Sequence, residues 1–375
     1  MVEIKQVITL KQRRQFASFP LKLYKGNKYY VPAFYGDELK VLRGKSPYED
    51  VSESVFFLAY RDKKVVGRIQ GIIQTQFNEL HNEKRVRFTR FDSIDDLEVS
   101  HALFQAVEAY AKEKGMDKIC GPLGYSDFER EGLLIEGFDQ YQTFEEQYNY
   151  DYYQKLIEAE GFVKEADWVE SAIKFPDSVD PRIEHIASHI LKKNNLHLVD
   201  ATKYSKKKFL AKYGDGFFDC ITNCYKDLYG TVPFTPETRK SIIQNFMPII
   251  DLREVFFICD ADEKVVALAL TFPGISDAVR KSKGHMGLIS LLRLLYTIHN
   301  PRVIDLGLIA VNHEYKNSGL TAVFVDSITK SYKQFKHLDH FETNLNLEDN
   351  LAIRNMWSRF DSVENKRRRS FVKQL

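Results

Sequence analysis

VFFLAYRDKKVV, Val55 to Val66, returns as VFFICDADEKVV, Val255 to Val266. The two stretches agree at seven of twelve positions and lie 200 residues apart. Each holds a β-branched and aromatic run, a polar turn and a second such run, which is the pattern of a β-hairpin. A second correspondence has the same offset. YYQKLIEAEGF, Tyr152 to Phe162, reads as a helix with a Gly stop, and it falls on AIRNMWSRFDS, Ala352 to Ser362. Each is followed by a β-rich segment, WVESAIKF in the first half and RRRSFVKQL in the second. Two matches at one spacing indicate a duplicated α/β unit. The junction falls at FPDSVDP, Phe175 to Pro181, where prolines bracket polar residues, and it divides the chain into units 1–177 and 178–375.

The composition agrees with this reading. At roughly 150 residues per domain, 375 residues make about two domains. Apolar residues are 44% and charged residues 28%, as in globular proteins. No apolar run reaches the ~18 residues of a membrane span. The N-terminus lacks the apolar core of a secretory signal. Lys+Arg 54 against Asp+Glu 52 does not indicate a nucleic-acid partner. Four cysteines make no disulfide scaffold, so a cytoplasmic location is expected. Cys220 and Cys224 share a helix face without nearby companions, and no metal site is expected.

VNHEYKNSGLTAVFV, Val311 to Val325, is the segment richest in chemistry. An apolar strand, Arg302 to Val311, leads through a polar loop into an apolar-striped helix. The leading turn of a helix has unpaired N–H groups and a positive dipole, which suit a phosphate. Gly319 allows close approach of a ligand, and Lys316, Ser318 and Thr321 add a cation and two hydroxyls. The competing reading is a plain strand-to-helix turn with Ser318 as N-cap. The counterpart loop in the first half carries Asp92, Asp95, Asp96 and Glu98 and no Gly. Those acids suit a capped helix and would repel a pyrophosphate.

The Val311 segment resembles the acyl-CoA pyrophosphate loop of the GNAT acyltransferase superfamily. Lys316 stands at the usual Arg or Gln, Asn317 at the first Gly, Gly319 at the second, Leu320 at the aliphatic and Thr321 at the last small residue, while His313 replaces a Pro. EDNLAIRNMW, Glu348 to Trp357, resembles the family's second motif through Asn350 and Ala352. With the repeat, the resemblance implies an α/β (α+β) fold of two tandem GNAT-like domains, each a mixed, mostly antiparallel sheet flanked by helices. It implies an acyl-CoA, acetyl-CoA by expectation, held in the second half by Ala310, Val311, Lys316, Asn317, Ser318, Gly319, Leu320, Thr321 and Asn350. Ala310 or Val311 would supply an oxyanion donor.

Transfer to an amine needs a base for the amine and an acid for the leaving thiolate. The family often has a Tyr acid on the second-motif helix; here Met356 stands there, with Trp357 next. Glu342, on the strand beside the cleft, is the candidate base, against the plainer reading of a strand-edge carboxylate. The stretch Gly121 to Tyr150 is long, aromatic and acidic, and reads as a functional lid or wall or, equally, as a plain surface loop. Lys366 to Arg369 reads as an exposed lead into a last strand, ahead of a contact to nucleic acid or to the phosphates of a cofactor. The expected activity is direct acyl transfer to a small-molecule or peptide amine, without a membrane partner; the sequence says nothing about oligomeric state. Two alternatives stand beside it: a non-catalytic binding scaffold of the same fold, and a transferase fed by aminoacyl-tRNA.

Overall fold

The computed structural model describes residues 1–174, 181–357 and 360–375. The Phe175–Pro181 junction and its 177/178 boundary lie outside the described residues, apart from Pro181, which opens a helix. The first half contains strands β1 (Glu3–Gln6), β2 (Ser52–Arg61), β3 (Lys64–Gln74), β4 (Arg85–Ser93), β5 (Lys118–Gly121), β6 (Leu133–Glu136) and β7 (Val163–Lys174). Its helices are α1 (Leu10–Leu23), α2 (Tyr35–Val41), α3 (Thr75–His81), α4 (Leu97–Glu113) and α5 (Tyr152–Glu158). The second half has β8 (His197–Leu198), β9 (Val255–Cys259), β10 (Val265–Pro273), β11 (Val303–Val311), β12 (His340–Thr343), β13 (Asn346–Leu347) and β14 (Asp361–Gln374). Its helices are α6 (Pro181–Lys193), α7 (Lys206–Tyr225), α8 (Pro236–Phe246), α9 (Ser276–Ser282), α10 (Leu288–His299), α11 (Leu320–Tyr332) and α12 (Leu351–Trp357).

The repeat is visible in the topology. Hairpin β2–β3 lies beside β4, and hairpin β9–β10 lies beside β11. Asp62 and Lys63 turn the first hairpin in left-handed conformations, φ 50 and 63. In the second, the Asp260 carboxylate accepts the N–H groups of Asp262 and Lys264 at 3.0 and 2.9 Å. The short helices α5 and α12 each lead into the last strand of their half.

Those last strands change the expected picture of one sheet per half. All strands join one mixed sheet in the order β1-β2-β3-β4-β5-β14-β7-β12-β11-β10-β9-β8, with β6 beside β14 and β13 beside β7. The C-terminal strand β14 pairs with β5 of the first half, Phe371 opposite Gly121. In return β7 pairs with β12 of the second half, Phe341 opposite Ile173. The exchanged strands run antiparallel to each other from Asp361↔Lys174 to Val372↔Val163. Each half therefore completes the other's sheet.

This pair lies deep in the molecule, so the basic run is not the exposed lead its charges suggested. Lys366 and Arg368 side chains are fully buried. Lys366 Nζ lies 2.9 Å from carboxylate oxygens of both Glu170 and Glu342, and Arg368 Nε lies 2.5 Å from Glu170. Buried charge persists only when paired in this way. Around the sheet, α4 packs Leu103, Phe104 and Val107 onto the first half, and α11 packs Val323, Phe324 and Ile328 onto the second. Helix α7 covers the opposite face of the second half with Phe209 and Tyr213 against Phe257 and Leu268.

Candidate active site

Strands β11 and β12 run parallel and are paired from Val303↔His340 to Leu306↔Thr343. There they part. Asn344 N–H still donates to Leu306 O at 3.2 Å, and then β13 turns away to pair with β7. At the parting, β11 bulges against β10, with Gly307 as the extra residue. Glycine is required there, because a Cβ would lie 2.2 Å from Phe272 Cε2. A bulge releases backbone groups from the ladder. The irregularity thus comes before Ala310 and Val311, which pair in register with Leu268 and Ala267.

A cavity of about 280 Å³ occupies the opening, with Leu306 to Ile309 on one wall and Thr343 to Leu347 on the other. It passes through the sheet. Ile328, Ile353 and Trp357 line it on the α11–α12 side, while Phe209, Phe217 and Phe246 line it on the α7–α8 side. Asn350 also lines it. The loop residues Lys316 to Thr321 and the strand residues Ala310 and Val311 do not; they follow the β11 wall out to the head of α11. Met356 is packed in the core, but Trp357 faces the cavity, and its Nε1–H has no acceptor among the described residues.

The head of α11 is bare. Gly319 is the N-cap at φ 81, and no side chain caps the helix. Ser318 is not the cap of the plainer reading: its hydroxyl donates backward to Tyr315 O at 2.6 Å. The N–H groups of Gly319, Leu320 and Thr321 find no acceptor among the described residues. Lys316, Asn317 and Thr321 are exposed beside them. A Cβ at Gly319 would come 3.0 Å from Ile190 Cδ1 on α6. Free N–H groups, a glycine and a nearby cation fit a pyrophosphate.

The same position in the first half is closed. Asp96 caps α4, accepting from Glu98 N–H and Val99 N–H at 2.9 and 3.4 Å. Arg61 pairs with Asp96 at 2.6 Å and with Glu98 at 2.7 Å. Asp92 is buried against Arg68, 2.7 Å away, and Tyr24 OH, 2.9 Å away. The parting of β4 and β5 recurs, with Leu123 N–H on Phe88 O at 2.9 Å. Arg90 stands at that bulge, held by Glu38 and Gln70 at 2.9 and 2.8 Å.

Glu342 does not line the cavity. It is 1% exposed and accepts from Lys366 Nζ at 2.9 Å, Asn365 Nδ2 at 3.2 Å and His340 at 3.1 Å. Burial would raise its pKa, but Lys366 and His340 outweigh burial and hold it below the usual carboxylate value. It is a committed ion-pair partner rather than a free base.

Other carboxyls reach the cavity, and they come from the Gly121–Tyr150 stretch, which does form a wall: Asp127, Glu131, Glu145 and Glu146. Burial pushes Asp127 up to about 6, against the backbone N–H groups of Asp127 and Val232. Burial raises Glu145 to about 7 and Glu146 to about 8, and Glu131 lies well above its ordinary value. Asp127 is half-buried as a whole, yet its Oδ1 is closed to solvent and lacks a hydrogen-bond partner, as does Glu131 Oε2. Tyr225, at the end of α7, spans the open edge of β11: its hydroxyl donates to Ile309 O at 3.0 Å and accepts from Ile309 N–H at 3.3 Å. Burial keeps that phenol protonated. Sequence reasoning missed these residues because they meet β11 only across the fold; the acid-rich stretch was their one visible signal.

A parallel strand pair that splays beside a bulge and leads into a helix, repeated in two halves, with the helix head bare in the second, describes a tandem GNAT-like fold. Solved structures bear this out. The chain superposes on a tandem GNAT protein from the clavulanic acid biosynthesis pathway with a TM-score of 0.56, 11% identity, and coverage of 100% of this chain and 98% of that one. It also matches a GCN5-related N-acetyltransferase from Sphaerobacter thermophilus with a TM-score of 0.53 and 9% identity, covering 100% and 95%. At such identities the likeness is one of fold. Among curated proteins, the chain is 24% identical to Protein YghO of Escherichia coli K12 over 369 residues, 96% of this chain and 93% of that one. It is 24% identical over 300 residues to the bacterial ceramide synthase of Caulobacter vibrioides, covering 78% and 75%. No protein-family model matches the chain.

Proposed function

We propose that the protein is an acyl-CoA-dependent N-acyltransferase whose acceptor is the amine of an amphipathic, lipid-like molecule. The observation that carries this reading is a pair of carboxyls, Asp127 and Glu131, that line the cavity opening at the Gly307 bulge and that each hold one oxygen without a hydrogen-bond partner among the described residues. Buried polar atoms without partners point to a bound group that satisfies them. An ammonium group does so and remains charged only beside carboxylates. The aromatic lining along α7 and α8 suits the apolar remainder of such a molecule. The relative named bacterial ceramide synthase supports the same class, since a ceramide is a fatty amide of a long-chain amine.

Each part of the chain then has a task. The head of α11 with Lys316 would hold the CoA pyrophosphate, and Asn350 and Trp357 would flank the pantetheine. Bound acyl-CoA would supply an activated thioester carbonyl. Asp127 takes a proton from the incoming ammonium; a base with a pKa near 6 is ionised at neutral pH. Tyr225 holds a proton at the open edge of β11, on the wall where a thiolate would leave. The aromatic side chains exclude water from the opening.

The test is thiol release from acyl-CoAs of several chain lengths in the presence of long-chain and short-chain amines. Release that depends on the long-chain amine is expected. Because Asp127 must be deprotonated to act, kcat/KM should climb as pH rises through about 6. Asp127→Asn should lower kcat by roughly 10²- to 10⁴-fold and abolish that limb. Amine-independent release, or an Asp127→Asn variant as active as wild type, would refute the assignment.

A further inference from the structure

Helix α10 buries two side chains, Leu294 and Ile298, both in the α7-side core. The rest of its apolar surface faces water. Leu288 is 75% exposed, Ile289 73%, Leu292 59% and Tyr296 68%, with Leu291 and Leu295 between them. At 3.6 residues per turn these six share one broad arc of the helix. Met286, just before it, is exposed as well. A folded chain rarely leaves so many large apolar side chains together in water without a partner.

The charge carried by this stretch of chain has one sign. Between Asp277 and Asp305 the sequence contains no acid and five Lys or Arg residues. Asp277 is engaged by Arg280 at 2.6 Å, and Arg302 is paired with Asp339 at 2.7 Å. Lys281, Lys283 and Arg293 have no ion-pair partner among the described residues. Among those residues no helix is long and apolar enough to cross a membrane. An apolar arc bordered by unpaired cations on a short helix matches a helix lying in the plane of an anionic bilayer surface.

The interior supports that occupant over a protein partner. The hairpin of α9 and α10 is fastened to the first half at its base: Tyr35 N–H donates to Gly284 O at 3.0 Å, and the Tyr35 ring lies 4.7 Å from that of His285. Tyr35 and Ile275 line a second cavity of about 610 Å³ between the halves. This cavity shares Phe128, Glu145, Ile242 and Phe246 with the catalytic cavity. The base of the α9–α10 hairpin thus reaches the rim of a chamber, lined by aromatic and charged side chains, that adjoins the cavity of Asp127 and Glu131.

We infer that α10, with Lys281, Lys283 and Arg293, docks the protein on the surface of a membrane carrying anionic lipids and sets the second cavity beside the bilayer. This departs from the expectation of no membrane partner, which weighed only spanning segments. Docking does not require the acyl-transfer reading, and its test reads binding alone.

The full chain is floated on a density gradient with phosphatidylcholine vesicles, with and without phosphatidylglycerol. Wild type should rise with the anionic vesicles and at least tenfold less with the neutral ones. Ile289→Glu/Leu292→Glu should lose at least tenfold of the floated fraction, whereas Leu80→Glu, at an exposed leucine of the first half, should not. A wild type that stays at the bottom, or a double variant that floats like wild type, overturns the proposal. So does a wild-type dimer that the double variant dissolves while neither protein floats, because the arc would then be a self-association face. Should the double variant lose its cooperative unfolding, a fluorophore placed at Leu288→Cys answers the same question. A blue shift with anionic vesicles supports docking, and unchanged emission overturns it.

Discussion

The head of α4 and the head of α11 occupy equivalent places after equivalent strands, yet one is sealed and the other bare. Asp96 caps α4 from its own chain, and Arg61 neutralises the acids around it. Gly319 begins α11 and leaves its N–H groups unspent. The neighbouring bulges differ in the same sense: Arg90 closes one into an ion-pair network, and Gly307 leaves the other as cavity wall. Duplication doubled the scaffold, and only one copy kept the openings. The sealed copy is not idle. Its Gly121–Tyr150 stretch supplies the carboxyls that face the open copy's cleft, and its last strand completes the open copy's sheet. The comparison therefore predicts one cooperative unit with one binding site.

The severest challenge to the single-unit part is Lys366→Met. The change leaves Glu170 and Glu342 buried without their shared ammonium, and breaking a buried pair from one side costs about 3–5 kcal/mol. Denaturant unfolding followed by fluorescence should lose that much in one transition covering both halves. A split into two transitions would break the comparison. The pH dependence carries a sign. In wild type Glu342 titrates below its ordinary value, so it contributes stability above the unfolded pKa of about 4.3 that fades as pH falls through the folded pKa. Without Lys366, the largest influence opposing burial is gone and that pKa rises, so the deficit of the variant should shrink toward pH 4.

Next in size is Gly307→Ala. The new methyl meets Phe272, so either the ring or the bulge must move. A displacement of this kind near reacting groups costs about a hundredfold in kcat/KM. The Arg90 bulge of the first half already carries a large side chain, and Arg90→Ala should leave kcat/KM within about threefold while lowering stability through the loss of one of Glu38's two arginine partners. Equal kinetic effects at the two bulges would erase the distinction between the copies.

How far the sequence disclosed all this follows from the range of each interaction. The hairpins, the short helices and the strand-to-helix turn at Gly319 are local, and local pattern revealed them: alternation, a Gly stop, a loop without a cap. The strand exchange is not local. β14 would read the same whether it joined its own half or the other, and the charges of Lys366 and Arg368 read as solvated until β7 is laid beside them. Glu342 looked like a base for the same reason, since its partner Lys366 is on a later strand and reaches it only in the folded sheet. The carboxyls that do line the cleft lie roughly 160 to 180 residues before β11 in sequence, and only their density in one long stretch hinted at a wall. Helix α10 shows the limit of reading hydrophobic runs as buried, because the same residues serve a core or a surface.

A smaller change sharpens the single-site part. Asp96→Ala removes the cap of α4 and should cost about 1 kcal/mol of stability. Its effect on acyl-CoA affinity is the informative quantity. If the first half holds no nucleotide, calorimetric titration gives one site with unchanged Kd. Gain of a second, weaker site in this variant would show that Asp96 alone had been blocking a competent cradle, and that the two copies differ by a plug rather than by design throughout.

The smallest expected effect belongs to Lys316→Ala. Lys316 is exposed, so its attraction for a pyrophosphate is screened by solvent and salt, and a few-fold weakening of acyl-CoA binding is expected at low ionic strength. The weakening should nearly vanish at about 0.5 M salt, where the Debye length is only a few ångströms. Backbone N–H groups at the head of α11 carry no net charge to screen, so the affinity that survives high salt measures what the bare helix contributes. If Lys316→Ala abolished binding at every salt concentration, the cation rather than the uncapped helix would separate the two halves, and the contrast between Asp96 and Gly319 would lose its meaning.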